Sequence, residues 1–419
     1  MSQHILVVGS GRDIPARVRA AAPGTRTSVI CRIEYLSRLQ ERAEHSRILA
    51  VRAEAPDAEW VALAAAAHAT DPFTGIATFG ERDQDRCAVI GRELGLDTHT
   101  PETVALVHDK EAMRARLRAA GVDPTPSATV TGPDDLLAFI RAHGLPCVVK
   151  PTHGSASVGV AVVHAEAQAQ AAVERATGEY YGLSGAGALV ESFHAGPQFS
   201  VEAFSEAGEH LVIAITRKYS DPVRMVELGH VVPAELADAE AQAVHRCVQG
   251  LLDALEVRHG ATHTEIVLTA AGPRVIETHL RMGGDDIPAL VHTVTGVDLA
   301  ECMARQCVGE SVLPGIRKSL AQARPDHAAA IWFADPPATG VLTRVDGVPE
   351  AQSAKGVDEV RLLAEPGMVF EGLQSSDSRP ASARAQGSTA DEAVQRARGA
   401  LAALQIHVRA TGVTTQEWV

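Results

Sequence analysis

The order of short apolar segments near the start of the chain constrains its fold more than any other feature. Such segments occur at residues 4–9, 29–30, 48–51 and 75–79. A helical segment around residues 60–69 lies between the last two. Short continuous apolar runs are typical of buried parallel strands. Their alternation with helices therefore predicts an open parallel α/β domain over the first hundred residues.

Later segments combine helices with antiparallel strands. A helix at residues 111–120 is expected to begin after an N-cap at Asp109 and to end before Gly121. A hairpin is expected from strands 262–268 and 274–279, with Gly272 and Pro273 in its turn. Further helices are predicted at 133–143, 165–177, 237–255, 298–309 and 390–404, and strands at 146–150, 160–163, 188–193, 198–204 and 210–216.

These segments divide the chain into three predicted domains, which fits a length of 419 residues. Residues 1–108 form a Rossmann-like N-terminal domain, although Gly9-Ser10-Gly11 alone is a weak dinucleotide signal. Residues 109–315 form a central domain with a smaller subdomain at about 122–190. Residues 316–419, which are punctuated by Gly and Pro, form a small α+β domain. The expected fold class is α/β.

Charge and composition exclude several classes of function. The net charge of −14 lacks the electrostatic signature of a general nucleic-acid binder. There is no apolar run of about 18 residues, so we expect no membrane partner. The first residues lack the pattern of a signal peptide, and none of the six cysteines forms Cys-x-x-Cys. A cytoplasmic location with reduced thiols is expected, and a homodimer stays open.

The predicted hairpin brings two acidic residues together. If its turn is centred on Ala271, Glu265 lies directly opposite Glu277. Their Cβ atoms would then be roughly 5 Å apart, and opposed like charges destabilise a sheet. Mg²⁺ offsets such repulsion, because it typically binds one or two carboxylates together with substrate phosphates. The alternative is an exposed hairpin with two solvated acids.

The second strand continues this polar face. A period of two places Glu277, His279 and Arg281 on one side of the strand. A carboxylate, an imidazole and a guanidinium do not form a core face, but they can face a phosphorylated ligand. Gly283 and Gly284 follow, where the backbone can approach a ligand closely.

Two lysines carry a second signal for phosphate. Lys110 lies in the first turn of its helix, where a cation opposes the helix dipole unless an anion is bound nearby. Lys150 ends an apolar strand just before the small residues 153–159. In that loop, backbone N–H groups and the hydroxyls of Ser155 and Ser157 could face phosphate oxygens. Taken alone, Lys110 also fits an exposed lysine on a helix, and the segment after Lys150 also fits a flexible loop without a binding role.

Together these residues resemble the ATP-grasp superfamily over nearly the whole chain. The resemblance implies the ATP-grasp fold, with ATP and Mg²⁺ as cofactors. It implies that Lys110 and Lys150 hold phosphates, that the loop with Gly154 closes over the triphosphate, and that Glu265 and Glu277 bind the metal. Within Ala188-Leu189-Val190-Glu191-Ser192-Phe193, Glu191 and the backbone of Ser192 and Phe193 would contact adenine.

Within the superfamily the chain looks most like the L-amino-acid ligases, which form dipeptides. The segment from Glu277 to Gly284 resembles their Glu-x-x-x-Arg-x-Gly-Gly motif, and Glu227 to Pro233 resembles their Glu-x-x-His-x-x-Pro loop. The resemblance implies that small amino-acid or peptide substrates contact seven residues. These are Glu81, Glu227, His230, Arg281, Gly283, Gly284 and Asp285. A carboxylate at Asp285 would favour a polar or cationic substrate group.

Two positions depart from the family pattern. His279 stands where the family has an Asn that binds a second metal ion. Because imidazole prefers softer ions, this metal site would be weakened or adapted to Mn²⁺, unless His279 binds a phosphate instead. Gln198 stands where the family has an acid for the ribose hydroxyls, and an amide can still bond them.

The expected reaction is ATP-dependent amide formation. ATP phosphorylates a carboxylate, and an amine displaces phosphate from the acyl phosphate. Arg281 would stabilise the developing negative charge, while His230 would either help to deprotonate the amine or serve as a structural residue. The rivals are a purine-pathway ligase, a biotin-carboxylase-like enzyme and a non-catalytic ATP-binding module.

Overall fold

The N-terminal part is an α/β layer, as the apolar pattern predicts. We analysed a computed structural model that describes residues 3–152, 159–178 and 187–410. Its first elements are β1 (His4–Val8), α1 (Ile14–Ala21), β2 (Arg26–Arg32), β3 (His45–Val51), α2 (Asp57–Thr70), β4 (Gly75–Thr78), α3 (Gln84–Leu94) and α4 (Pro101–His108). The strands are parallel and lie in the order β3-β2-β1-β4. The sequence pattern had given no prediction for α3 and α4.

A small antiparallel sheet follows, as a subdomain of its own. Its elements are α5 (Lys110–Ala119), β5 (Ser127–Val130), α6 (Pro133–His143), β6 (Cys147–Pro151), β7 (Ala161–Val163), α7 (Ala169–Thr177) and β8 (Ala188–Ser192). The strands lie in the order β5-β8-β6-β7. Helices α6 and α7 bury one face of this sheet, through residues such as Leu136 and Val173. Helix α5 is capped by Asp109, whose carboxylate accepts hydrogen bonds from the N–H groups of Glu111 and Ala112, as predicted.

An antiparallel sheet of eight strands forms the centre of the molecule. The next elements are β9 (Gln198–Glu206), β10 (Glu209–Ser220), β11 (Glu227–Val232), α8 (Asp238–Ala254), β12 (His259–Thr269), β13 (Gly272–His279), α9 (Ile287–Thr295), α10 (Leu299–Cys307) and α11 (Leu313–Gln322). Residues of α8 such as Leu251 join one core cluster with β9 and β12. Residues of α9 and α11 such as Leu290 and Ile316 join another with β10 and with residues 329–333.

The C-terminal residues extend this sheet. They form β14 (Ala328–Phe333), β15 (Gly340–Asp346), α12 (Val348–Ser353), β16 (Val357–Leu362), β17 (Val369–Phe370), β18 (Ala381–Gly387), α13 (Ala390–Ala402) and β19 (Gln405–Arg409). The large sheet has the order β13-β12-β9-β10-β11-β14-β18-β16, and β17-β15-β19 form a separate sheet. The α+β composition predicted for this region is present, but three of its strands continue the central sheet across the predicted boundary at residue 316.

Helix α10 packs beside α1, where Arg17 Nη1 lies 2.7 Å from Asp298 Oδ2, the N-cap of α10. That contact fixes the N-terminal layer against the central sheet. Within the described residues, no helix has both the length and the apolar character needed to span a bilayer.

Candidate active site

A cleft between the small sheet and the β12–β13 hairpin collects most of the predicted site residues that the structure describes. It encloses about 1020 Å³, open solvent included, which is at the upper end of the range for small-molecule sites. Nine predicted residues line it, namely Lys110, Lys150, Glu191, Ser192, Phe193, Gln198, Glu227, Glu265 and Glu277. Gly154, Ser155 and Ser157 lie outside the described residues.

The hairpin places Glu265 opposite Glu277, as predicted, although its turn and its register differ from the predicted ones. The turn is not centred on Ala271, because Thr269 pairs with Gly272 across a two-residue turn. Ile276 is then an extra residue, a bulge that shifts the register between Ile266 and Glu265.

Two buried side chains hold this bulge. The carbonyl of Ile276 accepts a hydrogen bond from Arg114 Nη2 at 3.2 Å, and the N–H of Val275 donates to Asp123 Oδ2 at 2.6 Å. Arg114 and Asp123 are 2% and 1% exposed. The register of the two acids therefore depends on groups outside the hairpin.

Glu277 begins a row of alternating charges that reaches the N-terminal domain. Its carboxylate lies 3.5 Å from Lys110 Nζ and 3.3 Å from His279 Nε2. The other ring nitrogen of His279, Nδ1, lies 3.3 Å from Glu81 Oε1. Glu81 Oε2 in turn accepts a hydrogen bond from Arg281 Nε at 2.7 Å. The predicted face of Glu277, His279 and Arg281 is therefore confirmed, with Glu81 packed against it.

The charges in this row stabilise one another. Burial by itself would raise the pKa of Glu81, but His279 and Arg281 lower it to about 2. Burial opposes the charge of His279 as well, yet Glu277 and Glu81 raise its pKa above the usual value. Both ring nitrogens of His279 therefore face carboxylates, an arrangement that favours the protonated ring. Its predicted role as a metal ligand stays a prediction.

Glu265 is the centre of a second row of charges. Lys218 Nζ lies 2.5 Å from Glu265 Oε1 and 3.4 Å from Glu227 Oε1. On the other side, His263 Nε2 lies 3.4 Å from Glu265, and His263 Nδ1 lies 2.8 Å from Glu202 Oε1. Burial would lower the pKa of His263, but Glu202 and Glu265 raise it to about 9. Burial likewise opposes the charge of Lys218, but Glu265, Glu227 and Glu277 raise its pKa above the usual value.

The two acids fit a divalent cation that is shared with a phosphorylated ligand. Burial would raise both pKa values, but Lys218 lowers that of Glu265 and His279 lowers that of Glu277, so both are ionised at neutral pH. Among the described residues, no group of three or more His, Cys, Asp or Glu side chains is arranged to hold a metal. Two carboxylates would therefore share the cation with phosphate and water oxygens, as is common for Mg²⁺.

Lys150 is held by a buried ion pair at the end of β6. Its Nζ lies 2.7 Å from Glu191 Oε1, and Arg114 Nε donates to Glu191 Oε2 at 2.9 Å. All three side chains are at most 6% exposed. Burial lowers the pKa of Lys150, which Glu191 partly restores. Glu191 therefore fixes Lys150 and Arg114, and its predicted contact with adenine stays a prediction.

Aliphatic side chains also line the cleft. Its walls include Val148, Val160, Val162, Met225, Val267, Val275 and Ile276. The N–H of Ser192 donates to the carbonyl of Pro126, and the N–H of Phe193 donates to that of Pro146. A flat base in this region would therefore pack against aliphatic side chains. The predicted role of Gln198 toward ribose hydroxyls stays a prediction.

The Glu227–His230 segment lies on β11, beside the turn after β13. His230 is 1% exposed, and its Nε2 lies 3.0 Å from Asp285 Oδ2. Arg379 also binds Asp285, with contacts of 2.9 Å and 2.7 Å to its two oxygens. The expectation that Asp285 favours a cationic substrate group assumed a free carboxylate. Arg379 already neutralises that carboxylate, so this expectation is not supported.

The two glycines of the turn differ in their surroundings. A Cβ on Gly283 would lie 2.8 Å from His263 Nδ1 and 3.2 Å from Glu202 Oε2. A Cβ on Gly284 would meet nothing within 4 Å. Gly283 therefore has to be small so that the backbone can pass over the Glu202–His263 pair, while Gly284 leaves open space beside Asp285.

Sequence reasoning missed three cations of the site. Lys218 was not predicted as a site residue because the predicted strand ended at Thr216, whereas β10 continues to Ser220. A lysine near the end of an apolar strand, as at Lys150, was a usable signal. Arg114 and Arg379 carried no local signal, since their partners lie 77 and 94 residues away in the sequence.

Two family models match parts of this chain. Residues 143–289 match the family model described as an ATP-grasp domain, and residues 332–409 match L-amino acid ligase C-terminal domain 2. The crystal structure of an L-amino acid ligase from Bacillus licheniformis aligns with a TM-score of 0.80 and 20% identity. The alignment covers 98% of this chain and 99% of that one.

Two curated relatives are similar over part of their length. An uncharacterised protein, y4rH, of Sinorhizobium fredii is 30% identical over 296 residues, or 70% of this chain and 60% of that protein. An alanine–anticapsin ligase of Bacillus amyloliquefaciens is 27% identical over 262 residues, or 57% of this chain and 54% of the relative. The matched region thus covers less than two thirds of each relative's length.

Proposed function

We propose that this chain, an ATP-grasp protein with an L-amino acid ligase C-terminal domain, is an ADP-forming carboxylate–amine ligase acting on amino acids or short peptides. The single observation that carries the proposal is the pair Glu265 and Glu277, opposed across a hairpin in a cleft that also contains Lys110 and Lys150. Two ionised acids and two lysines in one cleft suit a metal-bound nucleotide, because the acids would bind the metal ion and the lysines would bind the phosphate oxygens.

The chain's own residues would hold ATP in three ways. The aliphatic walls around Val148 and Val275 would enclose the base, and Lys110 and Lys150 would bind phosphate oxygens. Glu265 and Glu277 would hold Mg²⁺, or Mn²⁺ in its place. When bound, such a cation neutralises phosphate charge and makes the terminal phosphorus easier to attack.

The chemistry then needs groups that stabilise negative charge. A substrate carboxylate oxygen attacks the terminal phosphorus, and the bond to ADP breaks. The amine nitrogen next attacks the acyl carbon, inorganic phosphate leaves, and the ammonium proton passes to a base. Lys218 is paired with Glu265 and Arg281 with Glu81, and both cations would stabilise the anionic groups at both steps.

Substrate orientation is assigned to residues next to this centre. The carboxylate of Glu227 lies in the cleft, 3.4 Å from Lys218, and would receive a substrate ammonium group. His230 would orient the Glu227–His230 segment through its contact with Asp285. Glu81 would hold Arg281 until a substrate carboxylate competes for the guanidinium.

The test is a screen of amino-acid pairs for ADP release, with products identified by mass spectrometry. We expect ADP and phosphate in equal amounts with an amide product, and none with ATP alone. Bicarbonate and an aminoribonucleotide are the comparison substrates for the rival ligases. Nucleotide binding is measured separately, by thermal shift with Mg²⁺ and ATP. Binding of ATP with no ADP release in any mixture would overturn the proposal and favour a non-catalytic module.

A further inference from the structure

The turn after β13 has an unusual backbone that the nucleotide cleft does not explain. Asp285 and Asp286 have φ values of 52° and 58°, so two consecutive residues with side chains adopt the left-handed conformation. L-residues rarely adopt this conformation, and when they do, they usually do so singly. The two glycines of the turn, Gly283 and Gly284, precede these left-handed positions and do not occupy them. Contacts from outside the turn must therefore stabilise the backbone of Asp285 and Asp286.

Three arginines of the C-terminal residues bind these two acids. Arg379 contacts both oxygens of Asp285, at 2.9 Å and 2.7 Å. Arg361 Nη1 lies 3.3 Å and Arg384 Nη1 lies 3.6 Å from Asp286 Oδ2. The Asp285 contact is the stronger one, because it is bidentate and Arg379 is only 6% exposed.

Arg379 also reaches the Glu227–His230 segment. Its Nη1 donates to the carbonyl of Glu227 at 3.3 Å, and its guanidinium carbon lies 3.6 Å from the centre of the Phe333 ring. Its Nε donates to the carbonyl of Ser376, whose Oγ donates to Glu227 Oε2 at 3.3 Å. One short C-terminal segment thus contacts both the backbone and the carboxylate of Glu227.

The same network includes His230. Its Nε2 shares Asp285 Oδ2 with Arg379, while its Nδ1 has no hydrogen-bond partner and is buried. The ring therefore depends on Asp285 for its orientation, and Asp285 depends on Arg379 for its backbone conformation. The chain of contacts runs from the C-terminal domain to the substrate side of the cleft.

We infer that Arg379 is a positioning residue for the amino-acid substrate, acting by fixing Asp285, His230 and Glu227 in one arrangement. This inference rests on the proposed ligase function, since it assigns substrate contact to Glu227. It makes the C-terminal domain part of the substrate site, and it explains why an acid at position 285 does not act as a free charge. Arg361 and Arg384 bind the neighbouring Asp286, and their side chains are more exposed than that of Arg379.

The experiment compares Arg379→Met and Arg379→Lys with wild type in the full-length chain. Asp285→Asn is a second disruption in case Arg379→Met does not fold. Arg344→Met is the matched control, because Arg344 binds Asp346 in the same C-terminal region and is 65% exposed, far from this network. Hydrogen exchange of peptides covering residues 227–232 and 283–286 is measured beside steady-state kinetics.

We expect Arg379→Met to lower kcat/KM for the amino acids about 100-fold, because small displacements of orienting groups have effects of this size. The KM for ATP should stay within about twofold, since Lys110 and Lys150 are not in this network. Exchange in the two peptides should rise about tenfold and stay unchanged in β1. Arg379→Lys should recover part of both effects, and Arg344→Met should resemble wild type.

The outcomes separate this inference from the proposed function. If wild type releases no ADP with any substrate, the ligase proposal fails, and faster exchange in Arg379→Met would still show that Arg379 positions the two segments. If wild type is an active ligase and Arg379→Met keeps kcat/KM within about threefold, the inference is wrong. Equal losses in the KM for ATP and for amino acids would also overturn it, because they indicate general damage to the fold.

Discussion

The charge of Glu277 gives the sharpest test of the site. Considered alone, two opposed carboxylates repel, so removing one should stabilise the protein when no metal is bound. The structure predicts the opposite sign, because Glu277 lies 3.5 Å from Lys110 Nζ and 3.3 Å from His279 Nε2. At an effective dielectric constant of about 20, each contact has a gross attraction of about 5 kcal/mol.

The net effect is smaller than these gross energies. Repulsion from Glu265 and the desolvation of all these groups oppose the attraction, and breaking a buried ion pair typically costs about 3–5 kcal/mol. We therefore expect Glu277→Gln to lower the free energy of unfolding by about 3 kcal/mol in EDTA at pH 7. The folded-state pKa of Glu277 lies well below the usual value. The stabilisation is thus fully present above about pH 4.5 and is lost as the pH falls through the folded pKa.

Urea unfolding at pH 7 and pH 3, with chelator, measures this effect. Glu102→Gln is the control, because Glu102 forms an exposed pair with Arg92 and should change little. In the same preparation, Glu277→Gln should lower ADP release at least about 100-fold. Equal or greater stability of the variant at pH 7 would refute the charge assignment. Retained turnover would refute the metal assignment.

Three further predictions concern other parts of the site. Glu191→Gln should lower the free energy of unfolding by about 3 kcal/mol, because it leaves Lys150 buried without its carboxylate and leaves Arg114 with Asp123 alone. Unchanged urea stability would contradict this. Gly283→Ala should destabilise the chain by about 1–3 kcal/mol in thermal unfolding, whereas Gly284→Ala should be tolerated; equal effects would argue against the close packing on His263. Burial raises the pKa of all six thiols, to about 11 for Cys31 and about 12 for Cys87 and Cys307. Alkylation of these cysteines at pH 8 should therefore be slow in the native chain and rapid after unfolding. Rapid labelling of the native protein, followed by mass spectrometry, would contradict the last prediction.

Local patterns in the sequence predicted most elements of the fold. The parallel strands of the first layer follow from short apolar runs, and the cap of α5 follows from Asp109. Helices α3, α4, α9, α11 and α12 were missed. The boundary at residue 316 did not anticipate that β14, β16 and β18 join the central sheet. Strand pairing between distant segments depends on which edges meet in space, and hydrophobic periodicity carries no information on that.

In the candidate site, too, local patterns were predictable from the sequence and contacts between distant segments were not. The residues themselves determined that a hairpin would carry two acids and that Glu277, His279 and Arg281 would share a face, since strand periodicity is a local property. The state of those groups depended on tertiary contacts. His279 lies between the carboxylates of Glu277 and Glu81, and Asp285 is paired with Arg379.

The sequence alone thus determined the inventory of charges and their order along each strand. Only the tertiary structure decided the register of Glu265 and Glu277, because the bulge at Ile276 is held by Arg114 and Asp123 from other elements. It also decided which charge neutralises which. Electrostatic interactions fall off with distance in space and are strongest where water is excluded, and both conditions are set by segments far apart in the chain.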